Sequence, residues 1–281
     1  MNSKLGMLYV VATPIGNLED ITLRAIRILK EVDYIFCEDT RITQKLLNKY
    51  QKKIKSFTFN KYNEKKQTEK ILALLKGGKN IALVSDAGTP SISDPGCELI
   101  LAVVGEGINV VPIPGASALT SALSVCPIKF KDFYFAGFLP DKFSEREKLL
   151  LSFNKTIAPV VLYIAPHDLK KYVKEIYAQY PNINIFYARE LTKIYEESWC
   201  GKIKDLIDLL EKKELKGEIV LVLDFQELNS EVPEINRNEI VNEMRKKIEE
   251  GKSLKEVSKI FANAYNCSSK DLYNLYLKNK G

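Results

Sequence analysis

Short apolar runs alternate with helix-like segments over residues 7–125, and this alternation constrains the fold more than any other feature of the sequence. MLYVVA, DYIFCE, NIALVS and NVVPI are largely apolar runs, the pattern of strands buried on both faces. IKSFTF, between DYIFCE and NIALVS, is the third of the five predicted strands. Segments with apolar residues at helical spacing lie between them, and LEDITLRAIRILKEV predicts one helix over 18–32. The alternation therefore predicts an open parallel sheet with helices on both faces.

The pattern changes near VCPIK, at residues 125–129. Strand-like runs are denser beyond it, so some of these strands must be antiparallel; they are DFYFAGFLP, VVLYIA, NIFYARE, ESWCG and GEIVLVLDF. We therefore predict an N-terminal parallel-sheet α/β domain over 1–126 and a second α/β domain over 127–227.

The C-terminal segment, residues 237–281, has helical patterning and follows a polar stretch, ELNSEVPEIN, that we interpret as a linker. The pairs Ser253–Glu256 and Ser268–Asp271 have capping-box spacing. Two short helices joined by a tight turn predict a small helix-turn-helix-like appendage. It either packs on the body of the protein or binds nucleic acid.

Composition argues against several classes of site. Five scattered cysteines without a C-x-x-C pair are typical of a reducing compartment, so we expect a cytoplasmic protein without a disulfide framework. A single histidine argues against a His-based triad, and we expect no metal site. No apolar run approaches the roughly 20 residues of a membrane span, so we also expect no membrane association.

The net charge of +6 is distributed unevenly. Residues 41–79 carry twelve Lys or Arg against two acids, and residues 237–280 carry ten against six. Either segment is a solvated face or a surface for a polyanion, and the two together favour nucleic acid. Aromatic residues interleave with the lysines of the first segment, where Phe57 and Phe59 are expected to face the core; the others are Tyr50 and Tyr62.

Three turn-rich loops follow the first, fourth and fifth predicted strands: ATPIGN at 12–17, SDAGTPSISDPG at 85–96 and PIPGASALTSA at 112–122. Ligands of open α/β sheets bind beyond the carboxyl ends of the strands. Each loop alone is an ordinary turn, but three at one edge predict a site. Neither G-x-x-x-x-G-K-[ST] nor G-x-G-x-x-G is present. A cationic or hydroxyl-rich ligand is therefore expected, and S-adenosylmethionine fits.

The ordered motifs TPIGNLEDITLRA, EDTRITQKLL, VSDAGTPSISDPG, PIPGASALTSAL, FAGFLP, APHDL and ARELTK resemble the ribosomal RNA small subunit methyltransferase I family. That family belongs to the tetrapyrrole-methylase-like, class III methyltransferases. The resemblance implies two αβα domains with S-adenosylmethionine in the cleft between them. It also implies 2′-O-ribose methylation of a cytidine in the decoding region of 16S rRNA, the 30S subunit as partner, and a homodimer.

The resemblance also suggests residues that bind the cofactor. Thr89 stands where porphyrin methylases carry an Asp. Asp86 is included in the cofactor set, although it and Asp94 either orient their loop or face the RNA. The whole predicted set is Pro14, Asp86, Gly88, Thr89, Ile92, Ser117, Ala118, Leu162, Ala188 and Ile219.

Methyl transfer to a ribose hydroxyl requires alignment, and a proton acceptor helps. The candidates for that acceptor are Glu38, Asp39, His167 and Glu190, with none assigned. Arg189 or Lys193 is a candidate to lower the pKa of the hydroxyl or to hold a phosphate. Asp20 and Arg24 have i,i+4 spacing and either pair with each other or line the cleft. The predicted polar lining is Asp20, Arg24, Glu38, Asp39, Arg41, His167, Arg189 and Glu190.

Two other functions are compatible with the sequence. One is a methyltransferase of the same fold that acts on a tetrapyrrole or on the diphthamide precursor. The other is a catalytically silent rRNA-binding assembly factor, which would not bind S-adenosylmethionine.

Overall fold

The structure is a computed structural model that describes residues 5–50, 54–153, 156, 158–211, 216–226, 237–264 and 269–279. The predicted linker at 227–236 and Ser268 of the second capping pair lie outside these ranges.

The first sheet has five parallel strands in the order β3-β2-β4-β1-β5, which confirms the predicted parallel sheet. The strands are β1 Leu8–Val11, β2 Tyr34–Cys37, β3 Ser56–Thr58, β4 Ile81–Val84 and β5 Val110–Ile113. The helices that follow them are α1 Leu23–Glu31, α2 Thr40–Lys49, α3 Glu64–Lys76, α4 Cys97–Gly105 and α5 Ala118–Ser124.

Helices cover both faces of this sheet. One apolar cluster packs α1 and α2 on the face that carries Val11 and Ile35, and another packs α3 and α4 on the face that carries Leu8 and Phe36. Both faces are buried, which is why the strands are continuous apolar runs.

Helix α1 begins later than predicted. Leu18–Asp20 form a 3₁₀ turn, and the α-helix begins at Leu23 after Thr22, whose side chain accepts a hydrogen bond from the Ala25 amide at 3.0 Å. A second capping side chain, Asn17, accepts from the Glu19 amide. Thr22 divides the predicted helix because it satisfies the Ala25 amide, which a continuous helix over 18–32 would bond internally.

The second sheet is mixed, as predicted, with the order β6-β7-β10-β8-β9. Strands β6 and β7 are parallel, whereas β10 is antiparallel to β7 and β8, and β9 to β8. The strands are β6 Tyr134–Phe138, β7 Val160–Ile164, β8 Asn184–Arg189, β9 Glu197–Lys202 and β10 Ile219–Asp224. The helices are α6 Phe143–Ser152, α7 Leu169–Gln179 and α8 Ile203–Glu211.

Helix α5 connects the two sheets. It follows β5 of the first sheet, yet its buried residues Ala122 and Leu123 pack against Val161, Phe186 and Val220 of the second sheet. The opposite face of the second sheet is covered by α6, α7 and α8. One face of the second sheet therefore lies against elements of the N-terminal half of the chain.

Three C-terminal helices, α9 Arg237–Glu249, α10 Leu254–Ala264 and α11 Ser269–Lys278, surround an apolar cluster of their own that includes Met244, Val257 and Phe261. The predicted capping box at the start of α10 is confirmed, because the Ser253 amide donates to Glu256 at 3.0 Å and the Glu256 amide donates to Ser253 Oγ at 3.3 Å. The helices that the structure describes include none long and apolar enough to cross a membrane. The domain limits at 126 and 227 stay a prediction.

Candidate functional site

The three turn-rich loops meet at one edge of the first sheet because β4, β1 and β5 are neighbours. Thr13 and Gly88 exchange two backbone hydrogen bonds, with N···O distances of 2.8 and 3.0 Å, which join the loops after β1 and β4. Thr89 Oγ1 donates to the Ala116 carbonyl at 3.1 Å and joins the loop after β4 to the one after β5. The loops therefore form one continuous wall.

A cavity of about 300 Å³ lies between this wall and the second sheet. The volume is at the lower end of the range of small-molecule sites. Residues near the end of β7 and the start of β10 form the opposite side. The cavity is lined by Ile15, Ala87, Gly88, Thr89, Ile92, Ser93, Asp94, Ser117, Ala118, Phe138, Tyr163, Ile164, Ala165, Pro166, Leu191, Glu218, Ile219 and Val220.

The loop after β4 bends sharply beside this cavity. Gly88 has φ +81°, and Ser91 and Ser93 have φ +68° and +64°, which is uncommon for residues that carry a side chain. At the end of the loop the Gly96 amide donates to Glu64 Oε1 at 3.0 Å, which ties the loop to α3. The many turn-forming residues of this loop therefore allow a strained backbone, anchored to α3, to line the cavity.

Six of the ten predicted cofactor residues line the cavity: Gly88, Thr89, Ile92, Ser117, Ala118 and Ile219. Leu162 does not, because it lies fully buried on the opposite face of the second sheet, and its neighbour Tyr163 lines the cavity instead. Ala188 is buried beneath α5, and Pro14 is buried beside the lining residue Ile15. The roles of all ten residues stay predictions.

Asp86, the tenth residue of that set, points towards β2 rather than into the cavity. Its Oδ1 accepts from the Asp39 amide at 2.9 Å, and its own amide donates to Glu38 Oε1 at 3.3 Å. Of the two roles considered for Asp86, this geometry favours the one in which it orients the loops.

Carboxylates concentrate at this edge of the sheet. Burial, and then the neighbouring Asp94, raises the pKa of Glu38 to about 7. Burial, then Asp86 and Glu218, raises the pKa of Asp94 to about 6 against a hydrogen bond from Ser85. Asp94 and Glu218 both line the cavity, so the site favours a ligand with positive charge.

Asp39 and Arg41 form a separate, more exposed pair. Asp39 Oδ1 accepts from the Arg41 amide at 2.8 Å and from Arg41 Nε at 3.0 Å, and Asp39 caps α2. The hydrogen bonds from Arg41 lower the pKa of Asp39 to about 2. Asp39 is therefore a helix cap and a weak proton acceptor.

Arg189 and Glu190 are held by neighbours in the second sheet. Arg189 Nε donates to Glu197 at 3.0 Å. Glu190 Oε1 accepts from Lys193 Nζ at 2.7 Å and from the Glu218 amide at 3.1 Å. Burial works to raise the pKa of Glu190, but these hydrogen bonds outweigh it and the pKa is lowered. Both side chains therefore help to fix the end of β8 and the loop that follows it.

None of the eight predicted polar residues is among those that line the cavity, and the remaining three lie exposed at the surface. His167 is 78% exposed, with Nε2 at 3.2 Å from Asp168 Oδ2. Asp20 and Arg24 are exposed, and neither forms an ion pair within the part of the chain that the structure describes, because Asp20 belongs to the 3₁₀ turn rather than to α1.

Sequence reasoning missed several lining residues, of which Tyr163, Phe138 and Glu218 are the most informative. Tyr163 Oη accepts from the Leu119 amide at 3.0 Å, and the Phe138 ring lies 5.6 Å from the Tyr163 ring. Tyr163 directly follows Leu162, and Glu218 directly precedes Ile219; Leu162 and Ile219 are both in the predicted cofactor set. A correct assignment of which strand face meets the cavity would have identified Tyr163.

Comparison with known proteins places this geometry in context. Residues 7–207 match the family model of the tetrapyrrole (corrin/porphyrin) methylases. A Thermotoga maritima protein named ribosomal RNA small subunit methyltransferase I is 46% identical over 223 residues, which are 79% of this chain and 100% of that protein. A Halalkalibacterium halodurans protein of the same name is 39% identical over 273 residues, 96% of this chain and 94% of that protein.

Solved structures share the fold at low identity. A cobalt precorrin-4 methyltransferase has a TM-score of 0.58 at 18% identity, covering 77% of this chain and 94% of that chain. A Thermus thermophilus uroporphyrin-III C-methyltransferase in complex with S-adenosylhomocysteine has a TM-score of 0.55 at 15% identity, covering 77% and 97%. These likenesses concern the fold alone.

Proposed function

Because the chain belongs to the tetrapyrrole methylase family and to the ribosomal RNA small subunit methyltransferase I family, we propose that it is an S-adenosylmethionine-dependent rRNA methyltransferase. The proposed target is the ribose 2′-oxygen of a cytidine in 16S rRNA. The observation that carries the proposal is the cavity between the two sheets, to which each sheet contributes a carboxylate, Asp94 and Glu218.

The lining residues fit the cofactor. Glu218 suits a cationic group of the cofactor, and Ile92, Phe138 and Ile219 suit the face of an adenine. Gly88 lacks a side chain, so its backbone borders the cavity directly. When bound, S-adenosylmethionine supplies a methyl group made electrophilic by its sulfonium.

The chain's own residues then align the acceptor and take its proton. Of the four predicted proton acceptors, Asp39 is paired with Arg41, Glu190 with Lys193, and His167 is at the surface. Glu38 lies behind Asp94, and Asp94 borders the cavity. We propose Asp94 as the acceptor of the 2′-hydroxyl proton, because its pKa of about 6 leaves it ionised yet basic near pH 7.

The basic segment at 41–79 supports RNA as the substrate. Arg41, Lys76 and Lys79 are ion-paired with Asp39, Glu106 and Asp33. Within the described ranges the other cations of this segment form no ion pair: Lys45, Lys49, Lys55, Lys61, Lys65, Lys66 and Lys70. Lys55, Lys61 and Lys70 lie over aromatic rings, and no carboxylate among the described residues neutralises any of these cations. Such a concentration of positive charge on one segment is what a phosphate backbone requires.

We further propose that the enzyme is a cytoplasmic homodimer that acts on the 30S subunit, and that the chain divides into domains at 1–126, 127–227 and 237–281. The separate hydrogen-bonded sheets and the separate apolar cluster of the C-terminal helices support this division. The resemblance to the family supports the dimer and the 30S substrate.

The test is transfer of tritiated methyl from S-adenosylmethionine to small ribosomal subunits that lack the modification, followed by nuclease digestion and nucleoside analysis. Label in 2′-O-methylcytidine supports reaction, atom and base together. Label in another nucleoside overturns the cytidine. Label in an added porphyrinoid or protein, with none in RNA, overturns the acceptor, and the absence of calorimetric heat with S-adenosylmethionine supports a silent binding protein.

A further inference from the structure

Tyr62 projects into solvent at the same edge of the first sheet as the cavity. It lies in the turn that follows β3, and the residue is 87% exposed. Other aromatic residues of the basic segment are engaged: Phe57 packs on Phe36 at 5.2 Å, Phe59 is buried, and Tyr50 donates to the Leu18 carbonyl. The Tyr62 ring is therefore available to a ligand.

The turn that carries Tyr62 is held by its own hydrogen bonds. The Tyr62 amide donates to Asn60 Oδ1 at 3.1 Å, and the Asn60 amide donates to Asn63 Oδ1 at 2.8 Å. The Glu64 amide donates to the Asn60 carbonyl at 2.9 Å, where α3 begins. A ring on such a preorganised turn loses little backbone entropy when it binds.

One lysine lies over the ring, and two more follow it along the chain. Lys61 Nζ lies 5.1 Å from the ring centroid, and Lys65 and Lys66 are exposed in the first turn of α3. The carboxylate nearest in sequence, Glu64, is turned away, because its Oε1 accepts from the Gly96 amide at 3.0 Å. An aromatic face beside unpaired cations is the arrangement that binds single-stranded nucleic acid.

The same Glu64 contact connects this turn to the cavity. Tyr62 precedes Glu64 by two residues, and Asp94 of the cavity lining precedes Gly96 by two. Successive Cα atoms are about 3.8 Å apart, so the Cα atoms of Tyr62 and Asp94 are at most about 25 Å apart. A single RNA strand spans that distance with a few nucleotides.

We propose that Tyr62 stacks on one unpaired base of the rRNA strand while Lys61, Lys65 and Lys66 hold the adjoining phosphates, so that a nucleotide a short distance along the strand reaches the cavity. The inference rests on the proposed function and names the part of the chain that positions its substrate. Tyr62 is a positioning residue, because it does not touch the reacting atoms.

The first test measures binding of a labelled single-stranded oligocytidylate of about 12 nucleotides, a length within the usual site sizes. We expect Tyr62→Ala to weaken binding roughly tenfold and Tyr62→Phe to retain it, because the ring and not the hydroxyl stacks. Wild type and Tyr62→Ala should bind an abasic oligomer of the same length with equal affinity, because it has no base to stack. Tyr195→Ala is the matched control, since Tyr195 is 73% exposed on a loop with the carboxylates of Glu190 and Glu196.

The second test measures methyl transfer to small subunits, where Tyr62→Ala should raise KM several-fold with kcat kept. If the wild type transfers methyl and Tyr62→Ala has an unchanged KM, the stacking role of Tyr62 is overturned and the proposed function stands. If the wild type transfers nothing to RNA, the proposed function fails, and the oligonucleotide result still decides the stacking role. If Tyr195→Ala weakens RNA binding as much as Tyr62→Ala does, base stacking by Tyr62 is overturned. It is also overturned if Tyr62→Ala weakens binding to assembled subunits but not to naked RNA.

Discussion

Thr13 and Gly88 are paired through both backbone amides, and this isolated bridge fixes the wall of the cavity. Thr13 is 4% exposed, and its hydroxyl donates to the Ser85 carbonyl at 3.1 Å. The loops after β1 and β4 therefore behave as one unit, and a change in either one alters both.

Gly88→Ala should weaken S-adenosylmethionine binding about tenfold or more. The φ of +81° is strained for alanine, and the new Cβ would lie 3.3 Å from Ile15 Cγ2, a residue of the lining. We expect the variant to be destabilised by about 1–2 kcal/mol. Titration calorimetry and thermal unfolding measure the two effects.

Gly107→Ala is the matched control, because Gly107 has φ +69° and a Cβ added there would meet no atom within 4 Å. It should show the same loss of stability with unchanged cofactor affinity. Equal cofactor affinity in both variants would remove Gly88 from the site.

Methyl transfer should rise with pH and level off above about 6, because Asp94 accepts a proton only when it is ionised. Below that value the rate should fall about tenfold per pH unit. Asp94→Asn should lower kcat by about 100-fold or more and abolish the acidic limb. A variant that keeps both the rate and the limb would exclude Asp94 as the proton acceptor.

Glu38 should destabilise the folded protein at high pH. Its pKa of about 7 exceeds its ordinary value, so its contribution to stability is present at low pH and is lost as pH rises through about 7. Glu38→Gln should therefore be more stable than wild type at pH 8, by about 1–2 kcal/mol after allowance for solvent exposure, and equal near pH 4.5. Denaturant unfolding at both pH values measures this, with exposed Glu19→Gln as the control. A parallel pH dependence in wild type and Glu38→Gln would contradict it.

Arg146 of α6 should be essential to the stability of the protein, because it pairs with Glu175 of α7. Its side chain is fully buried, donates to Glu175 at 2.6 and 2.8 Å and to the carbonyls of Pro140 and Asp141. Arg146→Ala leaves that carboxylate unpaired, so we expect a loss of about 3 kcal/mol or more in the free energy of unfolding. The exposed Arg27 of the Arg27–Glu31 pair is the control, with a loss below about 0.5 kcal/mol on change to Ala. Similar losses in the two variants would contradict the buried role.

A chain that stops at Gln226 should keep its cofactor affinity and bind RNA less tightly. The C-terminal helices have their own apolar cluster, and a relative that matches over its whole length covers only 79% of this chain. Their lost cations should reduce the slope of log affinity against log salt by one or more. RNA titrations at several salt concentrations measure the slope, and an unchanged slope would make these helices structural.

Local patterns predicted much of the fold and part of the site. The apolar runs identified the strands of the first sheet, since burial on both faces leaves a signal in each strand alone. The loop at 85–96 is predicted to border a site because it is one of three turn-rich loops at the same edge of the sheet. The split of the 18–32 helix was missed, because Asn17 and Thr22 act as caps only in one of several possible local conformations.

Apart from the division of the 18–32 helix, the strands, the helices and the turn-rich loops follow from local sequence patterns, because those properties depend on neighbours along the chain. The three-dimensional packing places β1 between β4 and β5, brings Tyr163 rather than Leu162 to the cavity, and joins Glu64 to Gly96. Strand order, strand phase and the burial that raises the pKa values of Glu38 and Asp94 all depend on contacts between residues far apart in sequence, for which periodicity carries no signal.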